Sequence, residues 1–178
     1  MNFANFDWYT ITAATNQFSP ENKVGLGGYG LVYKRLSTSS SQGLAELKNE
    51  VLLLPKLQHG NLIKLLGYCI HGEEKLLVYE FMENLSLDTF IFERQFLPWP
   101  VRSKIITGIA RGLVYLHRDS GLGVVLRELK SSNVLLDREM DPKISNFAFA
   151  TLDNQSEMET SRVVVGFAII VRGLRSGI

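Results

Sequence analysis

The feature that most constrains this chain is a polar stretch set between apolar runs. Val125-Leu126-Arg127-Glu128-Leu129-Lys130-Ser131-Ser132-Asn133 is followed at a fixed distance by Ser145-Asn146-Phe147-Ala148. Val134-Leu135-Leu136 and Lys143-Ile144-Ser145 read as short strands around a turn at Asp141-Pro142.

The bulk numbers bound the class. A chain of 178 residues with 46% hydrophobic content is one globular domain or part of one. Its 19 basic and 18 acidic residues leave a formal charge of +1, too little to recruit nucleic acid or a charged membrane surface. Cys69 is alone, which excludes an internal disulfide and fits a reducing compartment, and it sits in an apolar run as a small core residue. His59, His71 and His117 lack metal-ligand spacing. The N-terminus has no basic or apolar leader region. The longest uncharged apolar run, Val163 to Val171, is far short of the roughly 20 residues needed to span a bilayer. A cytoplasmic location without a direct membrane segment is the expectation.

Residues 12–20 read as a short helix and turn. Val24-Gly25-Leu26-Gly27-Gly28-Tyr29-Gly30-Leu31-Val32-Tyr33 reads as a glycine-rich hairpin between two strands. Gly-x-Gly-x-x-Gly also marks dinucleotide-binding turns, but those need a helix next, and Leu31-Val32-Tyr33-Lys34 reads as a strand. Leu44, Leu47, Val51 and Leu54 recur at helical spacing up to Pro55, with Glu50 mid-helix. Leu62 to Ile70 and Lys75 to Phe81 are β-like runs joined by a hairpin, and Tyr79 to Asn84 leaves the sheet. A long amphipathic helix follows Trp99-Pro100, with Ile105, Ile109, Leu113 and Leu116 as its buried stripe. Gly108, Ala110 and Gly112 are small neighbours that allow close packing.

These motifs resemble a protein kinase. The pattern His-Arg-Asp-Leu-x-x-x-Asn ends on Asn133, and Asp-Phe-Gly falls on Asn146-Phe147-Ala148. Ala13-Ala14-Thr15-Asn16-Gln17-Phe18-Ser19, Leu57-Gln58-His59-Gly60-Asn61-Leu62, Gly108-Ile109-Ala110-Arg111-Gly112-Leu113 and Ser132-Asn133-Val134-Leu135-Leu136-Asp137 resemble the S-domain and cysteine-rich groups of plant receptor-like kinases. The resemblance covers nearly residues 1–162. It implies an α+β, two-lobe kinase fold, with a juxta-domain segment over 1–20, a small β-rich lobe over 21–82, a partial helical lobe over 83–162 and an unassigned tail over 163–178. The implied activity is ATP-dependent phosphorylation of protein serine and threonine, with ATP and Mg²⁺ as cofactors.

The resemblance also implies roles by position. Gly25, Gly27, Gly30 and Val32 would cover the nucleotide, with Glu80 and Met82 at its hinge. Lys34 would anchor the phosphates, paired with Glu50. Glu128 takes the place of the catalytic Asp, beside Lys130 and Asn133. Asn133 and Asn146, the latter in place of Asp, are the metal positions.

Departures in four parts of the machinery, the anchor, the base, the metal site and the substrate platform, bear on catalysis. Lys34 runs directly into Arg35-Leu36-Ser37, so about one turn and one strand of the family pattern are absent. That loss is expected to leave sheet neighbours unpaired, and without an anchoring lysine Glu50 has no partner. Glu128 is longer than Asp by one methylene, and a shift of about 1 Å can cost about 100-fold in a positioned reaction. Leu126 removes an imidazole but can pack. Asn146 offers Mg²⁺ a neutral oxygen where a carboxylate belongs, and Ala148 restricts a backbone that glycine leaves free. After Val164 no Ala/Ser-Pro-Glu follows, and the 101–117 helix is expected to expose a large apolar patch. The expectation is an impaired kinase with residual ATP binding. The alternatives are a weakly active kinase using Glu128, or a non-catalytic decoy whose partners are kinases or their regulators.

Overall fold

A computed structural model describes residues 4–19, 32–35, 41–92 and 96–152. The chain divides into two compact units: 1–56 with 64–81, and 57–63 with 82–178. Among the described residues the architecture is mixed helix and small sheets, as the sequence indicates.

The first unit is built on a four-stranded sheet in the order β1-β3-β4-β2. Strand β1 is Ala4–Asn5, β2 Val32–Arg35, β3 Leu65–His71 and β4 Glu74–Tyr79. Strands β3 and β4 form the expected hairpin, and Gly72 takes the left-handed conformation at its turn (φ 57°). Strand β1 lies parallel to β3, opposite Gly67 and Tyr68. A Cβ on Gly67 would stand 2.1 Å from the Ala4 carbonyl oxygen, so only glycine permits this approach.

Helix α1 is Trp8–Ala14, earlier than the 12–20 expected. Asp7 sets the start, because its Oδ1 accepts from the Thr10 amide at 2.8 Å and satisfies an otherwise orphaned donor. Hydrogen bonds from Thr10, side chain first and then amide, also hold the Asp7 carboxyl below its usual range. Left-handed backbone at Asn16, Gln17 and Phe18 follows the helix as a turn. Ile11 packs with Cys69, Leu76 and Val78 in a core flanked by Phe6, Trp8, Phe18 and Leu66. Cys69 is buried there, and burial pushes its thiol up. Trp8 stacks on His71 with ring centroids 4.9 Å apart. Helix α2, Ser41–Leu53, tightens into a 3₁₀ turn at Leu54–Lys56, where Pro55 lacks the donor that would continue it.

Two expectations for this unit are corrected. The apolar run from Leu62 does not enter β3 whole. Leu62 bridges to Ile144, Ile63 donates its amide to the Ile144 carbonyl at 2.9 Å, and the strand begins at Leu65. Strand β4 is also not left open by the shortened sequence near Lys34. Val32–Arg35 pairs antiparallel with it, setting Val32 opposite Tyr79 and Lys34 opposite Leu77.

The second unit contains α3 (Leu87–Phe92), α4 (Trp99–Val114), β5 (Val124–Val125), β6 (Val134–Leu136), β7 (Pro142–Ile144) and β8 (Thr151–Leu152). Helix α4 continues into a π-helical turn over Tyr115–Asp119. Its stripe keeps its cover: Ile105, Ile109 and Leu116 are fully buried, whereas Leu113 is only half-buried. The expected exposed patch does not form on this stripe because α4 packs on β7. A Cβ on Gly108 would lie 2.4 Å from Pro142 Cγ, and one on Gly112 2.9 Å from Ile144 Cδ1. Ala110 is exposed and takes no part. The exposed large apolar side chains of α4 are instead Trp99 and Val114, at its two ends, and Phe92 and Phe96 are exposed in the stretch that precedes it.

Candidate active site

Two loops are clamped at both ends by short ladders. Residues 126–133 run from β5 to β6, and residues 145–150 run from β7 to β8. Strand β5 pairs with β8, Val124 opposite Leu152, and β6 pairs with β7, Val134 opposite Ile144. Both pairings are antiparallel, so the loops must face each other. Strand β6 is held on its other side by residues 84–86, where the Asn84 amide donates to the Leu136 carbonyl at 3.1 Å.

Most apolar positions in the loops are turned inward, with Phe149 exposed, and the polar Ser131 and Asn133 are buried with them. Leu126, Leu129, Phe147 and Ala148 are buried. Leu126, where the family pattern has histidine, packs as expected. The side chains of Lys130 and Glu128 are 47% and 43% exposed and pair at 2.7 Å. Asn133 is buried on a 3₁₀ turn, Ser131–Asn133, and its Nδ2 donates to the Glu128 carbonyl at 3.1 Å. Ser145 ties the second loop to the first. Its amide and hydroxyl donate to the Asn133 carbonyl at 2.8 and 3.0 Å.

Asn146 then turns into the left-handed region (φ 64°), which asparagine tolerates better than most residues. Its Nδ2 donates to Glu128 Oε2 at 3.2 Å. Ala148 does not need the freedom of glycine, since it is not among the residues with positive φ.

Glu128, Lys130, Asn133 and Asn146 thus come together. Val32, Lys34, Glu50 and Glu80 belong to the first unit, and Met82 to the second. Gly25, Gly27 and Gly30 lie outside the described residues, as does the 163–178 tail. Lys34 is on β2 and Glu50 on α2. Glu50 is buried and does have a partner: the Tyr79 hydroxyl donates to its Oε2. Burial pushes the Tyr79 hydroxyl far above its usual range, and the neighbouring Glu50 charge and hydrogen bond add to this. Glu80 closes a loop on Lys64, its Oε1 accepting that residue's amide at 2.8 Å. Met82 is buried, and its carbonyl accepts from the Leu85 amide at 3.3 Å. Tyr79 and Ser145 were missed by sequence reasoning. Tyr79 has a signal in hindsight, as a phenol ending the buried run Leu76-Leu77-Val78; Ser145 has none.

The donor chemistry around these loops does not fit a Mg²⁺ chelate. Glu128 is the one carboxylate in the contacts described, and both its oxygens are engaged, one by an ammonium. The two asparagines have only neutral oxygens to offer and turn their amide donors toward Glu128. Among the described residues no three His, Cys, Asp or Glu side chains are grouped to hold a metal. A hard dication needs charged oxygens here. Nor is any helix of the described residues long and apolar enough to cross a membrane.

The family model of the protein kinase domain matches residues 18–168. The chain is 53% identical over 171 residues to cysteine-rich receptor-like protein kinase 28 of Arabidopsis thaliana, covering 88% of this chain and 25% of that protein. It is 55% identical over 176 residues to the G-type lectin S-receptor-like serine/threonine-protein kinase SD1-29 of the same plant, covering 89% and 22%. The chain therefore spans about a quarter of the length of these relatives. With the matched span taking in both clamped loops, the chain belongs to the protein kinase domain family and is similar to the receptor-like serine/threonine kinases of plants.

Proposed function

We propose that this kinase domain is catalytically impaired, retaining the loop architecture of a serine/threonine kinase and at most residual ATP binding. The observation that carries the reading is the engagement of Glu128. Lys130 holds one carboxylate oxygen at 2.7 Å and Asn146 the other at 3.2 Å. A general base has to present its carboxylate to the hydroxyl it deprotonates. Phosphoryl transfer further depends on cations that neutralise the transferred group, and the donor set described above is poor at holding them. Nucleotide contacts through Gly25, Gly27, Gly30, Val32, Lys34, Glu50, Glu80 and Met82 are part of this proposal by family position. A weakly active kinase using Glu128 is the second reading, favoured by the 43% exposure of its side chain.

One experiment separates the two. The purified chain is melted with ATP, with and without Mg²⁺ or Mn²⁺, and assayed for phosphate transfer beside Glu128→Ala. The expected result is no metal-dependent stabilisation and no transfer above the variant's background. Metal-dependent stabilisation together with transfer that Glu128→Ala abolishes would establish the second reading instead.

A further inference from the structure

The departures at 128 and 146 meet in space, and each suits the other. Glu128 Oε2 accepts from Asn146 Nδ2 at 3.2 Å, while Oε1 pairs with Lys130 at 2.7 Å. On the backbone side, Asn133 Nδ2 donates to the Glu128 carbonyl, and Ser145 donates twice to the Asn133 carbonyl. These hydrogen bonds and the ion pair join the two loops through their own side chains and backbone. An aspartate at position 146 would set a second carboxylate against the first, and like charges at hydrogen-bonding range repel. An aspartate at position 128 would withdraw its carboxylate by one methylene from the Asn146 amide.

We propose that Glu128 and Asn146 are a coupled pair that ties the two loops directly, so that the order of the site is independent of divalent metal. Asn146 acts here as a positioning residue for Glu128. The inference deepens the proposed function and rests on it for the identity of the site. The two have separate readouts, ATP-dependent melting with phosphate transfer for one and the coupling in urea unfolding without nucleotide for the other.

The test is a double-mutant cycle on the full chain, by urea unfolding at neutral pH in chelator, with the wild type, Asn146→Asp, Glu128→Gln and the double variant. The left-handed backbone at position 146 accepts aspartate as well as asparagine, so the cycle isolates the side-chain term. Glu128→Gln puts an amide donor at position 128. In that background the bond reverses, amide to carboxylate, and Asn146→Asp is tolerated. The expected result is that Asn146→Asp lowers the folding equilibrium constant by about fivefold more in the wild-type background than in the Glu128→Gln background. The wild-type melting temperature should also be the same in Mg²⁺ and in chelator. If Asn146→Asp fails to fold, recovery of folded protein in the double variant supports the proposal, and failure of both overturns it. An equal cost of Asn146→Asp in the two backgrounds, or a rise in the wild-type melting temperature with Mg²⁺, would also overturn it. Loss of coupling without transfer would sink this inference alone, whereas metal-dependent transfer abolished by Glu128→Ala would sink the function proposed above.

Discussion

Leu126 and Tyr79 show how differently single residues reveal their roles. Leu126 stands where the family pattern carries histidine, and the structure buries it fully beside the loop it opens. It now contributes packing, so Leu126→Ala should cost about 2–5 kcal/mol of stability, read as a lower urea midpoint at unchanged slope. Tyr79 supplies the hydroxyl that meets the buried Glu50 carboxylate. Tyr79→Phe leaves that carboxylate short of a donor and should cost about 1–3 kcal/mol by the same measurement. The pH dependence has a definite sign. The folded Tyr79 hydroxyl titrates above its ordinary value of 10, so the folded chain holds a proton that the unfolded chain releases. Its contribution is complete below pH 10 and declines as pH rises beyond it. A difference melt of the wild type against Tyr79→Phe should therefore narrow with rising alkalinity. That Glu128, Lys130, Asn133 and Asn146 lie on two neighbouring loops was legible from motif spacing. The Tyr79–Glu50 bond was not, because it joins a strand to a helix 29 positions away and neither residue carries a local mark of the other.

At the level of elements, the periodic segments were legible and their ends were not. Helix α4 follows from the 3.6 period of its apolar residues, and the β3–β4 hairpin from two continuous apolar runs on either side of the turn at Gly72. Helix α1 starts earlier than its apolar positions indicate, because these say little over seven residues, whereas the Asp7 cap decides where helical bonding begins. The run from Leu62 reads as one strand by sequence, yet only the part from Leu65 enters β3. Its first residues pair with Ile144 instead, and β-type sequence does not declare its partner. The glycines make this scale testable. Gly108→Ala drives a methyl group into Pro142 and should cost about 1–3 kcal/mol in urea unfolding. Gly67→Ala should separate β1 from β3, seen as faster amide exchange of Phe6, whose N–H donates to the Tyr68 carbonyl at 2.8 Å.

Across the whole molecule, the two tryptophans fall one in each unit, Trp8 half-buried against His71 and Trp99 at 64% exposure. Trp8→Phe, which leaves Trp99 as the reporter, should emit further to the red and be quenched more by acrylamide than Trp99→Phe. Equal quenching of the two variants would contradict the packing of α1 on the sheet. The sequence by itself determined the family, the mixed helix and sheet class, and the positions of the loop residues, because motif spacing along the chain survives substitution of the letters within it. Only the tertiary structure decided that β4 stays paired beside Lys34, that α4 keeps its cover, and that Glu50 meets Tyr79. It alone placed Asn146 against Glu128. Each of these is a contact between distant segments, set by which surfaces can close on one another, and such closure leaves no trace in local spacing or composition.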